Sequence, residues 1–360
     1  MVNLAASYVP VISIGVPTYN RKNLLIETIS SLLNQSFRDF EIIIGNDFLD
    51  QTLTLESLGL EDSRIRIVNN ERNLGELENM NSLLRMARGR YFTWQFDDDP
   101  CAPSFLMEGW LALEKYDFPK CVFTSYRRIF GTSNHSFEEL EKGDTTLFTG
   151  RRFLREYLSG GIKALGCCGI YDTDYLRAVG GAPRLTSGLM ALHSEYLLLI
   201  RAGLLDKVAF INQGLVSTRA HAHSWTVANR ELDLFKQAGV NLVKESLVVF
   251  KNQDLIEDFQ DNLATVLEAA ICAVVVKMCD QNIRPNMNDT DDYISRIKDE
   301  FDLLMDTLLY GYAMRSLEKA CKNIPKYKLK AYVKMLIPLW VYKYLDYPVA
   351  LLKKYSNRPF

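Results

Sequence analysis

Near the N-terminus the sequence reads Val11-Ile12-Ser13-Ile14-Gly15-Val16, a mostly apolar run that predicts a buried strand. Asn23 follows at a position where it can cap a helix. The apolar residues of that helix fall on one face and are Leu25, Ile29, Leu32 and Leu33. Similar apolar runs predict further strands at residues 40–44, 65–68, 91–95 and 121–124.

A second amphipathic helix is predicted between the third and fourth of these strands. Its apolar face is formed by Leu77, Met80, Leu84 and Ala87, and Gly89 is the predicted C-terminal stop. Strands and helices therefore alternate from residue 10 to residue 125. This order predicts an α/β fold with a parallel, doubly wound sheet, which binds ligands at the carboxyl ends of its strands.

Polar segments follow three of the predicted strands. Pro17-Thr18-Tyr19-Asn20-Arg21 follows the first, Gly45-Asn46-Asp47 the second and Asp97-Asp98-Asp99 the fourth. Because the carboxyl ends of parallel strands meet at one edge, we expect these groups to converge there. No glycine-rich phosphate loop follows the first strand, so neutralising bound phosphates would require a metal ion.

The acidic run at residues 97–99 is the strongest candidate for binding that ion. Three adjacent carboxylates repel one another, and a hard cation such as Mg²⁺ or Mn²⁺ takes oxygen ligands. These are usually one or two carboxylates, completed by water and substrate phosphates. A solvated acidic turn is the alternative interpretation.

Composition limits the possible classes of protein. With 360 residues, of which 48% are hydrophobic and 24% charged, the chain is expected to be globular, with two domains. A net charge of −2 argues against nucleic-acid binding. The seven cysteines lack metal-ligand spacing and are expected to be buried apolar residues. The first residues do not resemble a secretory signal, which predicts a cytoplasmic protein.

Several segments, taken in order, resemble the family 2 glycosyltransferases, which have the GT-A fold. These segments are residues 11–21, 30–37 and 39–44, and the turn Arg72-Asn73-Leu74-Gly75. Each is a weak signal alone, but their order and spacing make the resemblance specific. The resemblance implies a GT-A catalytic domain at residues 1–230. Its donor half covers about 10–125 and its acceptor half about 126–230.

The resemblance also implies which residues bind the donor nucleotide. They are Pro17, Thr18, Tyr19, Asn20, Arg21, Asp47, Asn73, Gly75, Asp97 and Asp98. The implied metal ligands are Asp98, Asp99 and His221. Phe96 stands where the family often has a first carboxylate. Which of the three aspartates binds the metal ion or the ribose therefore stays open. Asn46 replaces a usual acid, so Asp47 is preferred as the contact to the base.

The acceptor half carries fainter similarities. His193-Ser194-Glu195, followed by Arg201, resembles the acidic motif of the family and implies that Glu195 is the general base for the acceptor hydroxyl. A helix carboxylate paired with a nearby arginine is the alternative. Residues 219–224 resemble a segment near the diphosphate, which implies a phosphate contact for Arg219 and leaves His223 open.

Residues 231–360 are predicted to form a mainly helical C-terminal region outside the resemblance. Residues 326–355 mix lysine with tryptophan, tyrosine and leucine, as helices in a membrane interface do. A helix packed on the catalytic domain and a homodimer contact are the alternatives.

These observations predict an inverting glycosyltransferase that depends on Mn²⁺ or Mg²⁺. It would transfer a sugar from a nucleoside-diphosphate donor to a hydroxyl of a saccharide or glycolipid, in cell-surface polysaccharide synthesis. It is expected to contact the membrane peripherally through residues 326–355. A metal-dependent phosphoesterase is one alternative. A nucleotide-sugar binding module without turnover is another.

Overall fold

A computed structural model describes residues 9–130, 137, 143–220 and 231–252. Its strands form a single sheet and are β1 (Ile12–Thr18), β2 (Phe40–Asn46), β3 (Ile65–Asn69), β4 (Tyr91–Trp94), β5 (Cys121–Phe130), β6 (Thr145–Phe148), β7 (Ile170–Asp172) and β8 (Val208–Ala220). The described helices are α1 (Lys22–Leu33), α2 (Leu55–Leu58), α3 (Glu76–Met86), α4 (Phe105–Lys115), α5 (Gly150–Ser159), α6 (Thr173–Ala178), α7 (Ser194–Ala202) and α8 (Leu232–Asn252).

The strands lie in the order β3-β2-β1-β4-β7-β5-β8-β6. The first four pair in parallel, as do β5 and β8. The predicted α/β fold with a mostly parallel sheet is therefore confirmed. The exceptions to the parallel arrangement are β7, which inserts antiparallel between β4 and β5, and β6, which is antiparallel to β8. With only three residues, β7 has no pattern from which its direction could be predicted.

Both faces of the sheet are covered by apolar side chains. Successive residues of β2 contribute to opposite faces, with Ile42 and Ile44 in one buried cluster and Ile43 in the other. Leu25, Ile29 and Leu32 of α1 join the first cluster, and Leu77, Met80 and Leu84 of α3 join the second. Burial on both faces explains why these strands are continuous apolar runs.

Two predicted helix ends are wrong. Asn23 lies inside α1, whose N-cap is Arg21 and has no side-chain capping bond. Gly89 does not end α3, because the helix already ends at Met86 and its C-cap, Ala87, is extended. A β-carbon on Gly89 would lie 2.7 Å from the backbone nitrogen of Ser13, so close approach of the chain to β1 requires glycine there.

The predicted C-terminal region begins with α8, which packs against α7 and the loop before it. The amide of Asn241 donates to the Leu185 carbonyl at 2.8 Å, and Glu245 pairs with Arg201 at 3.4 Å. Among the described helices, none is both long and apolar enough to cross a membrane. The predicted membrane or dimer segment, 326–355, lies outside the described residues, and the domain boundaries stay predictions.

A buried carboxylate stabilises the amino end of the parallel strands. Glu41 accepts hydrogen bonds from the Ser13 hydroxyl at 2.7 Å and from the Arg88 guanidinium at 2.7 and 3.0 Å. Burial raises the pKa of Glu41, but the bonds from Arg88 and Ser13 outweigh it and hold the pKa below its ordinary value. The ionised form therefore contributes stability above the unfolded-state pKa, and this contribution is lost as pH falls through the folded-state pKa.

We expect Arg88→Ala to lower the free energy of unfolding by about 2–3 kcal/mol at pH 7, because it leaves the Glu41 charge buried without its main partner. This is less than a fully buried pair would lose, since the Arg88 side chain is 53% exposed. Urea unfolding at pH 7 and at acid pH measures the effect, which should shrink as Glu41 is protonated. Arg85→Ala, which removes an exposed pair with Glu78, is the control. Equal stability losses in the two variants would contradict the assignment.

Candidate active site

The polar segments after β1, β2 and β4 converge at one edge of the sheet, as predicted. The parallel register places Thr18 beside Asn46 and brings the end of β4 next to β1. The Thr18 hydroxyl donates a 2.7 Å hydrogen bond to Asp97, which joins the first segment directly to the acidic run.

Arg21 holds two of the three aspartates. Its Nη1 lies 3.2 Å from Asp97 Oδ1 and 3.0 Å from Asp98 Oδ2. Both carboxylate oxygens of Asp97 therefore accept bonds, from Thr18 and from Arg21. Burial, followed by the charge of Asp98, raises the pKa of Asp97 to about 7. These bonds make Asp97 a support of the acidic turn.

Arg219 and Asp99 close the other side of the acidic turn. The Arg219 backbone N–H donates to Asp99 Oδ1 at 2.7 Å, and Nε of Arg219 donates to the Asp98 carbonyl at 2.9 Å. The guanidinium also pairs with Glu27 of α1. Only 1% of the Arg219 side chain is exposed. Because it is buried against the acidic turn, Arg219 holds the turn in place. Burial, followed by the charge of Asp98, raises the pKa of Asp99.

Asp47 connects the end of β2 to the turn at residues 70–75. Its Oδ1 accepts bonds from the Asn70 amide at 2.8 Å and the Leu74 backbone N–H at 3.1 Å. The amide of Asn46 is instead used inside its own loop, where it donates to the Gln51 carbonyl at 2.7 Å. This difference is consistent with the preference for Asp47 as a contact to the base.

Aromatic and turn residues complete the donor side. The Tyr19 ring lies 5.4 Å from that of Phe48, edge to face. Asn73 Oδ1 accepts a 2.9 Å bond from the Gly75 N–H, and Gly75 has a φ of +80°. A β-carbon there would lie 2.5 Å from Cβ of Leu189, so glycine allows the donor half to contact the acceptor half.

Glu195 lies in the first turn of α7, after His193, which has a left-handed φ of 59°. Burial and the charge of Glu76 raise the pKa of Glu195 to about 7, against the opposing charge of Arg128. Arg201 does not pair with it, because that guanidinium contacts Glu245 and donates to the Val179 carbonyl. The nearby arginine whose charge acts on Glu195 is instead Arg128 of β5.

Glu76 is a site residue that the sequence interpretation missed. It is the first residue of α3, and its Oε2 accepts a 2.9 Å bond from the Ala191 N–H. Burial, followed by the charge of Asp98, raises the pKa of Glu76. The available signal was its position directly after the Asn73-Leu74-Gly75 turn.

The residues at this edge fit a hard divalent cation. Their donors are carboxylate oxygens, and the charge of Asp98 raises the pKa of its buried neighbours Asp97 and Asp99, a repulsion that a cation would relieve. Over the described ranges, no three His, Cys, Asp or Glu side chains form a ready ligand set. An ion held by Asp98 and completed by water and phosphate oxygens needs no such set. His221 and His223 lie outside the described residues.

Comparison with known proteins shows what part of the chain is similar to. The sequence model described as Glycosyl transferase family 2 matches residues 13–177. An uncharacterized glycosyltransferase of Haemophilus influenzae is 38% identical over 110 residues, 30% of this chain and 34% of that protein. An Escherichia coli protein named UDP-Glc:alpha-D-GlcNAc-diphosphoundecaprenol beta-1,3-glucosyltransferase WfgD is 31% identical over 88 residues, 24% of this chain and 35% of that protein.

These matches span about a third of the length of either curated relative. Among solved structures, S. aureus TarS 1-349 in complex with UDP-GlcNAc aligns with a TM-score of 0.50 and 16% identity. The alignment covers 80% of this chain and 90% of that one, which supports a shared fold. The chain therefore carries, over residues 13–177, a domain of glycosyl transferase family 2, and its architecture is the expected GT-A fold.

Proposed function

We propose that this protein is an inverting, metal-dependent glycosyltransferase. It moves a sugar from a nucleoside-diphosphate donor, UDP or a similar nucleotide, to a hydroxyl of a saccharide or glycolipid. The name of the Escherichia coli relative combines a UDP-linked donor with a diphosphoundecaprenol-linked acceptor, which supports a role in cell-surface polysaccharide synthesis.

One observation carries the proposal. The acidic turn and Glu195, 96 residues or more apart in the sequence, are joined through residues 166–167, where the Cys167 carbonyl accepts a 3.3 Å bond from the Trp94 N–H at the end of β4 and Gly166 packs against the backbone of Glu195. A carboxylate with a pKa near 7 thus lies close to a separate acidic cluster. Transfer requires this combination of a base for the acceptor and a polar site for the diphosphate.

On the donor side, Tyr19 offers a ring on which a nucleobase can stack, and Asp47 can accept a hydrogen bond from a base N–H. Asp98 would hold the metal ion, which when bound supplies charge neutralisation to the leaving diphosphate. Asp97, Arg21 and Arg219 keep the turn in place through the contacts described above.

On the acceptor side, Glu195 removes the proton of the attacking hydroxyl. With a pKa of about 7, this carboxylate is partly ionised at neutral pH and is also basic enough to accept the proton of a hydroxyl. The sugar oxygen then attacks the anomeric carbon, and the bond from that carbon to the diphosphate breaks. The product is a new glycosidic bond of inverted configuration and a nucleoside diphosphate.

A thermal-shift panel tests the proposal. With Mn²⁺ or Mg²⁺ present, one of UDP-, GDP-, dTDP- or CMP-linked sugars should raise the melting temperature by several degrees, because a ligand at 100 times its Kd adds about 2.7 kcal/mol to stability. Release of the nucleoside diphosphate should then require a saccharide acceptor. Release without an acceptor would favour a phosphoesterase, and binding without turnover would favour a binding module.

A further inference from the structure

Glu76 is a carboxylate at the site to which the proposed mechanism assigns no task. Its Oε2 is fixed by the 2.9 Å bond from the Ala191 N–H, and the preceding Gly75 packs on Leu189. The Leu77 N–H also donates to the Leu189 carbonyl at 3.3 Å. The side chain is therefore held at the junction between the donor half and the acceptor half.

Glu76 lies within electrostatic reach of both ends of the reaction site. The charges of Asp98 and Arg21 act on its pKa in opposite directions, after the larger effect of burial. The charge of Glu76 in turn raises the pKa of Glu195. The carboxylate is thus near the acid assigned to the diphosphate and near the base assigned to the acceptor.

In an inverting transfer, the sugar ring occupies the space between these two ends. The acceptor hydroxyl, held by the base, attacks the anomeric carbon on the face opposite the departing diphosphate. Among the described residues Glu76 forms no ion pair, and its one hydrogen bond uses Oε2. Its Oε1 is therefore placed to accept a hydrogen bond from a ligand in this space.

We propose that Glu76 binds the transferred sugar of the donor by accepting a hydrogen bond from one of its hydroxyls through Oε1. This inference rests on the proposed glycosyltransferase function. It makes Glu76 a residue that distinguishes a nucleotide sugar from the bare nucleoside diphosphate, a role separate from those of Asp98 and Glu195.

Calorimetry on the full-length protein tests the proposal. The ligands are the nucleotide sugar that stabilises the parent most in the panel above and the corresponding nucleoside diphosphate, each with MnCl₂. We expect Glu76→Ala to weaken binding of the nucleotide sugar about 10-fold or more, because a hydrogen bond to a charged group is lost. Affinity for the nucleoside diphosphate should stay within about twofold of the parent.

Two further variants make the result specific. Glu78→Ala removes a carboxylate of the same helix that pairs with Arg85 on the surface, and it should bind both ligands like the parent. Glu76→Gln can still accept the bond from Ala191 but is neutral, so it should show a smaller, sugar-specific loss. It also carries the test if Glu76→Ala does not fold.

Two outcomes would overturn the inference. Equal losses of affinity for the nucleotide sugar and the nucleoside diphosphate would assign Glu76 to the diphosphate end. Parental affinity of folded Glu76 variants for both ligands would mean that Glu76 only holds Ala191 and does not bind the sugar. Failure of the parent to bind any nucleotide sugar would instead refute the proposed function.

Discussion

Replacement of Glu195 by glutamine is expected to reduce acceptor-dependent turnover by about 10²- to 10⁴-fold while donor affinity stays near parental. Glutamine keeps the size and much of the hydrogen bonding of the side chain but cannot take the proton of the acceptor hydroxyl. Release of the nucleoside diphosphate, measured with and without a saccharide acceptor, gives the turnover, and calorimetry gives the donor affinity.

The pH profile of the parent offers a second readout for Glu195. Because only the ionised carboxylate accepts a proton, kcat/KM should rise with pH through the pKa of about 7 of the free protein and then level off. This rise should be absent from the residual activity of Glu195→Gln. Loss of turnover without loss of the pH dependence would assign the titration to another group.

Glu245→Gln is the matched control for this experiment. Glu245 of α8 pairs at 3.4 Å with Arg201 of α7, the helix that carries Glu195. The substitution therefore neutralises a carboxylate that contacts α7 from outside. We expect near-parental turnover from it. Near-parental, acceptor-dependent turnover from Glu195→Gln would rule out Glu195 as the base. A phosphoesterase that used the acidic turn would also be little affected by the substitution.

Asp98→Ala is expected to abolish metal-dependent donor binding. The variant lacks the carboxylate assigned to the ion, so Mn²⁺ should no longer increase affinity for the nucleoside diphosphate. Calorimetric titration with UDP, with and without Mn²⁺, measures the change. If the variant bound UDP with Mn²⁺ as tightly as the parent, the metal site would be assigned wrongly.

The fold of Asp98→Ala should be preserved. The bond from Arg219 Nε is to the backbone carbonyl of Asp98, which alanine retains. The substitution removes the 3.0 Å pair of Asp98 with Arg21, but Arg21 keeps its pair with Asp97, and the repulsion that raises the pKa of Asp97 and Asp99 is relieved, so the melting temperature without ligand should change little. Asp62→Ala, which removes a carboxylate before β3 and away from this edge, is the control for donor binding.

Local patterns were sufficient for much of the donor half. The strands β1 to β4 are apolar runs because both faces of the sheet are covered, and that burial leaves a direct mark on the sequence. The segments after β1, β2 and β4 could be expected to meet because parallel strands bring their carboxyl ends to one edge. The Asp97–Thr18 hydrogen bond, 79 residues apart in the sequence, is a consequence of that rule.

The sequence by itself thus determined the alternation of strands and helices and the edge at which the acidic turn lies, since both follow from local periodicity and from the geometry of parallel strands. Only the tertiary structure decided that β7 inserts antiparallel beside β4, that Arg219 is buried against the acidic turn and that Glu76 meets Ala191. These features depend on contacts between residues 79 to 121 positions apart. Such contacts leave no periodic pattern, because each is formed by one short strand or one side chain that finds its partner only after the two halves pack together.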